Sequence, residues 1–286
     1  MKIGIIGYGR MAREYEKVLS FLGHKVCCFL TRHASHQIYI TNTWKLFLDY
    51  NPEAIIIAID IEETAEVLRR AIGTGLPILV EKPVCISSKE IYNITQKYER
   101  QVMVGYNRRY YNNVKIIKKD LKKMKLVSVY VNIAEPLLYS GVHILDLLLY
   151  LFGGIWLESR WNISSHSHSC LFTAHDNQIP ILFHATEESY SNSSITFTFD
   201  NGIVYLLCPI EELRIFNGFH THELHGNRLY TPHIATELHE TATNDYKCGL
   251  LEQVRDFCLL KDRSSIGCDL QQAARVLQLY EEIIGG

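Results

Sequence analysis

Three observations predict an α/β fold: a doubly wound parallel-sheet domain followed by an α+β domain with a largely antiparallel sheet. Short apolar runs alternate with helical patterns over residues 1–107, the rhythm of parallel strands linked by crossover helices. A glycine turn, Gly7-x-Gly9-x-x-Ala12, joins the first apolar run directly to the first helical pattern. After Asn107 the alternation stops and strand-like runs follow one another. At 286 residues the chain is too long for most single cores, so two domains are expected, 1–107 and 108–286.

The elements follow in order. Lys2–Gly7 reads as a strand, and Arg10–Phe21 as a helix with Met11, Tyr15, Val18 and Leu22 on one face. Lys25–Leu30 is a second strand, and Trp44–Leu48 a short amphipathic piece. Ala54–Ala58 is nearly all apolar, as strands buried on both faces are. A helix over Glu62–Gly73 leads to the strand Pro77–Val80. Ser87-Ser88-Lys89-Glu90 has capping-box spacing and opens a helix to Arg100, before the strand Val102–Gly105. A basic helix (Asn112–Lys123), a strand (Val127–Ile133) and the helix Val142–Phe152 come next. Strand-like runs then cover Leu157–Ser164, Ser169–Ala174, Ile181–Thr186, Ser194–Phe199 and Ile203–Cys208. Asp200-Asn201-Gly202 between the last two is a hairpin turn. Residues 217–247 are polar, histidine-rich and without a period, which reads as a long loop. Helices over Gly249–Leu260 and Leu270–Ile284 close the chain.

Composition narrows the function classes. With 47% hydrophobic and 21% charged residues the chain is of the soluble globular type. A formal net charge of -2 gives no electrostatic reason to expect nucleic acid or an anionic membrane as partner. The apolar run Ile3–Ile6 is strand-length and stops at a glycine, unlike a signal peptide; Ile144–Trp156 is too short to span a membrane and contains Asp146. The eight cysteines lack Cys-x-x-Cys spacing, which argues against zinc, and several sit in apolar runs, as in a reducing cytosol. A cytoplasmic enzyme is the default expectation.

The glycine turn is the strongest chemical signal. Its first glycine permits the tight turn, its second lets backbone approach a pyrophosphate, and Ala12 lets helix and strand pack closely. The helix start then faces phosphate charge with N–H groups. The end of the second strand bears on which nicotinamide cofactor is held. An acidic residue there would take the ribose 2′-hydroxyl of NAD, but Thr31-Arg32-His33 has no carboxylate. Arg32 offers a fork for a 2′-phosphate, so NADP(H) is expected over NAD(H); a solvated polar turn is the competing reading.

These pieces resemble the Gfo/Idh/MocA family (glucose–fructose oxidoreductase and inositol dehydrogenase relatives) over essentially the whole chain. The resemblance rests on Gly7-Tyr8-Gly9-Arg10-Met11-Ala12, Val80-Glu81-Lys82-Pro83, Val104-Gly105-Tyr106-Asn107-Arg108-Arg109-Tyr110 and Gly141-Val142-His143-Ile144-Leu145-Asp146. The closing helical segments are similar too. The resemblance implies an NAD(P)-dependent oxidoreductase acting on CH–OH groups of a carbohydrate-like substrate: a sugar, cyclitol or sugar nucleotide. Together with the glycine turn and the Thr31-Arg32 pair, it gives a cofactor-binding set of Gly7, Tyr8, Gly9, Arg10, Met11, Thr31, Arg32, Glu81, Lys82 and Asn107. Lys82 would sit beside the nicotinamide and the reacting oxygen, and His143 would be the general acid/base; plain structural roles for both are the alternative.

One position departs from the family pattern. Many members carry an aspartate four residues before the histidine, where this chain has Tyr139, which is therefore a third catalytic candidate. Its hydroxyl can hydrogen-bond a sugar oxygen or relay a proton. The departure also keeps open a non-catalytic sensor that binds a dinucleotide and regulates a partner. His166-x-His168 and His220-x-His222 are metal-capable pairs, yet no metal is expected. The lysines between 115 and 125 suit a solvated helix face or a patch for an anionic substrate. Imperfect polar alternation in Ile195–Phe199 and Ile203–Leu207 suggests a homo-oligomer formed through the second domain's sheet.

Overall fold

A computed structural model describes residues 1–32, 40–95, 102–174, 179–187, 189–241, 246–259 and 266–285. The chain divides into two compact units: residues 1–110 with 242–278, and residues 111–241 with 279–286.

The first unit is built on β1 (Lys2–Ile6), α1 (Arg10–Phe21), β2 (Lys25–Leu30), β3 (Ile40–Thr41), α2 (Trp44–Asp49), β4 (Ala54–Ile57), α3 (Ile61–Ile72), β5 (Ile78–Val80), α4 (Ser88–Thr95) and β6 (Val102–Val104). Its six strands lie in the order β3-β2-β1-β4-β5-β6, all parallel. Every residue of β4 and β5 is buried, which explains their unbroken apolarity. α1 buries Ala12, Tyr15, Val18 and Leu19 against the sheet, and α3 buries Thr64, Ala65, Leu68, Ala71 and Ile72. α3 also carries Glu62 and Glu63 in its first turn and Arg69 and Arg70 in its last, matching the helix dipole at both ends. The expected continuation of α4 to Arg100 lies outside the described residues, as does His33.

The second unit contains α5 (Asn112–Asp120), β7 (Leu126–Ile133), α6 (Val142–Phe152), β8 (Ile155–Ser164), β9 (Ser167–Ala174), β10 (Ile179–Thr186), β11 (Ser194–Phe199), β12 (Val204–Leu207), β13 (Glu212–Leu224) and β14 (Asn227–His239). Its eight-stranded sheet runs β14-β13-β12-β11-β7-β10-β9-β8 and is antiparallel except for the β7–β10 pair. Burial alternates residue by residue along β9 to β12, so one face forms the core, with Phe172, Phe183 and Phe197 among the buried rings. The Asp200–Gly202 turn closes the β11–β12 hairpin with Gly202 at φ 80°.

Two expectations require correction. Residues 217–239 of the polar stretch 217–247 are not a long loop: 212–239 form the β13–β14 hairpin, turned at His225 (φ 51°) and Gly226 (φ 75°), the paired positive φ of a tight two-residue turn, while 242–245 lie outside the described residues. The chain also divides differently from 1–107 and 108–286. The helix α7 (Leu250–Cys258) and α8 (Leu270–Ile284) as far as Gln278 group with the first unit. α7 contributes Leu250, Leu251, Val254 and Phe257 to the same core as Ile3, Tyr15 and Leu19. The basic helix ends at Asp120, buries Val114 and Ile117, and sends Lys118 over the Tyr150 ring at 3.3 Å.

Candidate functional site

The carboxyl ends of β1, β2 and β4 frame a cleft of about 620 Å³ in the first unit, the place where open parallel sheets hold ligands. Gly7, Tyr8, Gly9, Arg10 and Met11 line it on one side, Thr31 and Arg32 on another, and Glu81 also contributes.

The glycine turn meets the geometric demands of a dinucleotide cradle. Gly7 has φ 107°, its N–H donates to Leu30 O at 2.9 Å, and a Cβ there would lie 2.1 Å from the Ala58 carbonyl oxygen. A Cβ on Gly9 would meet nothing within 4 Å, so the space above it is open. Gly9 is the N-cap of α1, no side chain caps that end, and the first turn holds no acidic residue. The first turn of α1 is thus a place for an anion, and the residues present fit the pyrophosphate of a nicotinamide dinucleotide.

The β2 end is more acidic in space than in sequence. Arg32 Nε lies 3.2 Å from Glu63 Oε2, and an Arg32 terminal nitrogen lies 2.6 Å from Glu63 Oε1 and 3.6 Å from Asp60 Oδ2. Glu63 and the neighbouring carboxylates raise the Arg32 pKa further above its ordinary value. Asp60 and Glu63 enter the cleft from the loop after β4 and the first turn of α3, and Trp44 and Arg70, stacked at 4.7 Å, line it as well. Sequence reasoning missed these four. The signal available was topological: the loop after a third parallel strand opens at the same end of the sheet as the glycine turn.

Glu81 follows β5 directly. Its N–H donates to Ile57 O at 2.8 Å, and its Oε1 accepts from the fully buried Tyr15 hydroxyl at 2.5 Å. Gly105 leaves room for the carboxylate, since a Cβ there would lie 3.3 Å from Glu81 Cδ. Burial pushes the Glu81 carboxyl above the ordinary carboxylate range, opposed by the Tyr15 hydrogen bond and the charges of Lys82 and Lys247. Burial, and then the charge of Glu81, push the Tyr15 phenol well up, which keeps the proton on Tyr15 and makes Glu81 the acceptor. Tyr15 had read only as a helix-face core residue.

Lys82 and Asn107 are not among the described residues lining the cleft. Lys82 is half-buried just past Glu81, and the Asn107 amide donates to Cys248 O at 2.8 Å, anchoring the segment before α7. Tyr139 and His143 belong to the second unit. His143 is half-buried in the first turn of α6, and Tyr139 is 53% exposed in the widened turn Leu137–Gly141 that precedes it. That turn is held by Ser140 N to Pro136 O at 2.9 Å and by Leu137 N to the Glu187 carboxylate at 3.0 Å, and Glu187 is a further residue the sequence did not single out. Asp146, on the same helix, is fully buried.

His166 lies 3.5 Å from Glu187, while His168 is buried and its pKa lowered by that burial. Among the described residues no group of three or more His, Cys, Asp or Glu is placed to hold a metal ion, and no helix is long and apolar enough to cross a membrane.

Among curated proteins none is significantly similar to this chain in sequence. The chain is similar in fold to an oxidoreductase described as NADPH-dependent from Desulfitobacterium hafniense, at 15% identity, TM-score 0.78, and coverage of 100% of this chain and 94% of that one. It is similar to UDP-N-acetylglucosamine 3-dehydrogenase from Acidithiobacillus ferrooxidans, at 15% identity, TM-score 0.73, and coverage of 99% and 96%. A super-repressor mutant of Gal80p from Saccharomyces cerevisiae shares the fold at 12% identity, TM-score 0.77, and coverage of 99% and 94%. Residues 1–108 match the family described as an oxidoreductase family with an NAD-binding Rossmann fold. With its glycine turn, parallel sheet and cleft, this segment has the features of the NAD-binding Rossmann domain that the matching oxidoreductase family describes.

Proposed function

We propose that this chain is an NAD(P)-dependent oxidoreductase of CH–OH groups on a carbohydrate-like substrate: a sugar, cyclitol or sugar nucleotide. The observation that carries the reading is the open, uncapped start of α1 beneath Gly9 in a cleft sized for a dinucleotide. Gly7, Tyr8, Gly9, Arg10 and Met11 hold the pyrophosphate, and Trp44 with Arg70 offers a flat surface for adenine. Thr31 and Arg32 favour NADP(H) over NAD(H). Glu81, Lys82 and Asn107 complete the proposed cofactor set.

The bound cofactor supplies the hydride acceptor or donor. When the alcohol is oxidised, its carbon gives up a hydride and its hydroxyl a proton, leaving a carbonyl. His143 takes that proton, since imidazole exchanges protons at little cost near neutral pH. The Lys82 ammonium holds the same oxygen and stabilises its partial negative charge. Glu81, fixed by Tyr15, orients Lys82 or a ribose hydroxyl, and Tyr139 hydrogen-bonds the substrate.

A second reading has two observations in its favour. Tyr139 stands where many members hold an aspartate, and the fold also occurs in the Gal80p mutant described as a super-repressor, so a dinucleotide-binding sensor is the alternative. Reduced-nicotinamide fluorescence together with turnover on a panel of sugars, cyclitols and sugar nucleotides separates the two. Binding with turnover, lost in His143→Ala, supports the enzyme; binding without turnover on any panel member supports the sensor; absence of binding refutes both.

A cytoplasmic homo-oligomer is part of the proposal. Cys28, Cys85, Cys170 and Cys268 are buried, packing as small hydrophobes, a usage that suits a reducing compartment. Leu171, Leu182, Tyr130, Thr196 and Leu206 form a register row across the second unit's sheet, and Leu182 and Tyr130 are exposed, an apolar band suited to a second copy.

A further inference from the structure

We propose that Glu63 is the residue that sets cofactor choice, by competing with a 2′-phosphate for the Arg32 guanidinium. The inference rests on the proposal that a nicotinamide dinucleotide occupies the first unit's cleft.

The geometry is that of a two-position selector. Glu63 takes the Nε edge of Arg32 with contacts of 3.2 and 2.6 Å, and Asp60 stands 3.6 Å from the same terminal nitrogen. All three side chains line the cleft, and all are substantially exposed, so either partner can be exchanged for a ligand group without leaving a buried charge. A ribose 2′-hydroxyl can donate to the Glu63 carboxylate while Arg32 stays paired. Glu63 thereby performs, from α3, the task that a strand-end carboxylate performs in NAD-binding folds. A 2′-phosphate has to take Arg32 from Glu63 and then sit beside two carboxylates. Thr31 and Arg32 favour the phosphate, and Glu63 limits how far that preference goes.

The test is equilibrium binding of NADPH and NADH, read by nicotinamide fluorescence and calorimetry, on wild type, Glu63→Gln and Arg32→Ala. Glu63→Gln removes one negative charge from beside a phosphate of charge near two, so NADPH should bind about tenfold more tightly. NADH should bind equally or more weakly. Arg32→Ala should lose affinity for NADPH selectively. Glu63 is an exposed helix residue and glutamine is its isostere, so the fold is retained; thermal melting confirms it. An NADPH affinity unchanged by Glu63→Gln, or an equal gain for both cofactors, overturns the selector while leaving the cofactor site standing. Binding of neither cofactor by any form overturns the selector and the cofactor reading together.

Discussion

Replacing Tyr15 by phenylalanine removes a single oxygen from behind the cleft, and the structure makes the consequence calculable. The Tyr15 hydroxyl is fully buried and donates at 2.5 Å to Glu81, a carboxylate already pushed up by burial. A hydrogen bond to a charged group is worth about 1.5–3 kcal/mol, so Tyr15→Phe should destabilise by that amount when Glu81 is ionised. The sign with pH follows from the same pair. The phenol lowers the Glu81 pKa, so without it the carboxyl titrates higher still, and the loss should be greatest above that titration. Well below that titration, where the carboxyl is protonated in wild type and variant alike, the loss should shrink. Glu81→Gln gives the complementary result. A carboxyl raised above its unfolded value costs stability as pH rises through the folded pKa, so this variant should gain on wild type from weakly acid pH upward. Urea denaturation of both single variants and the double variant, at several pH values, measures these quantities and their coupling. A Tyr15→Phe loss independent of pH, or below about 0.5 kcal/mol throughout, would show that the pair is not charge-assisted and refute the argument.

Gly7→Ala combines a positive φ with a Cβ placed 2.1 Å from Ala58 O, so it should cost about 1–3 kcal/mol in backbone strain alone and abolish nicotinamide quenching; a melting curve and a quenching titration check both effects. Lys82→Ala should leave the fold intact and the cofactor still bound while removing nearly all turnover, and a variant retaining close to the wild-type kcat would demote Lys82 to a structural lysine. Tyr139→Phe should raise the activation barrier by about 0.5–1.5 kcal/mol if its hydroxyl makes one neutral hydrogen bond to substrate, read as kcat/KM. Tyr139→Asp should move specificity toward simpler polyols on the same panel, and an unchanged ranking would count against its role.

The parallel-sheet half was legible because burial on both faces leaves an unbroken apolar run, as in Ala54–Ile57, and because glycine marks the turn that follows Ile6. β13 and β14 were illegible for the opposite reason. Past Phe216 both faces of this hairpin are largely exposed, so no core selects alternate residues and no period of two appears in the sequence. Periodicity showed that α7 has an apolar face, but it does not say which core receives that face. The glycine turn could be read locally, because its chemistry lies in consecutive residues. The Arg32–Glu63 fork and the Tyr15–Glu81 bond join residues 31 and 66 positions apart, and nothing in either local pattern announces the partner.

Because α7 completes the first unit's core, that unit is discontinuous along the chain. A ribosome delivers residues 1–110 long before Val254 and Phe257, so the nascent sheet and α1 wait with part of their apolar surface uncovered while 131 intervening residues are made. Closing so long an insertion costs little more than closing a short one, since loop entropy grows only with the logarithm of length. The consequence is one of timing rather than stability. A fragment ending at residue 110 should be sticky and protease-sensitive, and the dinucleotide cleft matures only after the chain's last quarter has been synthesised.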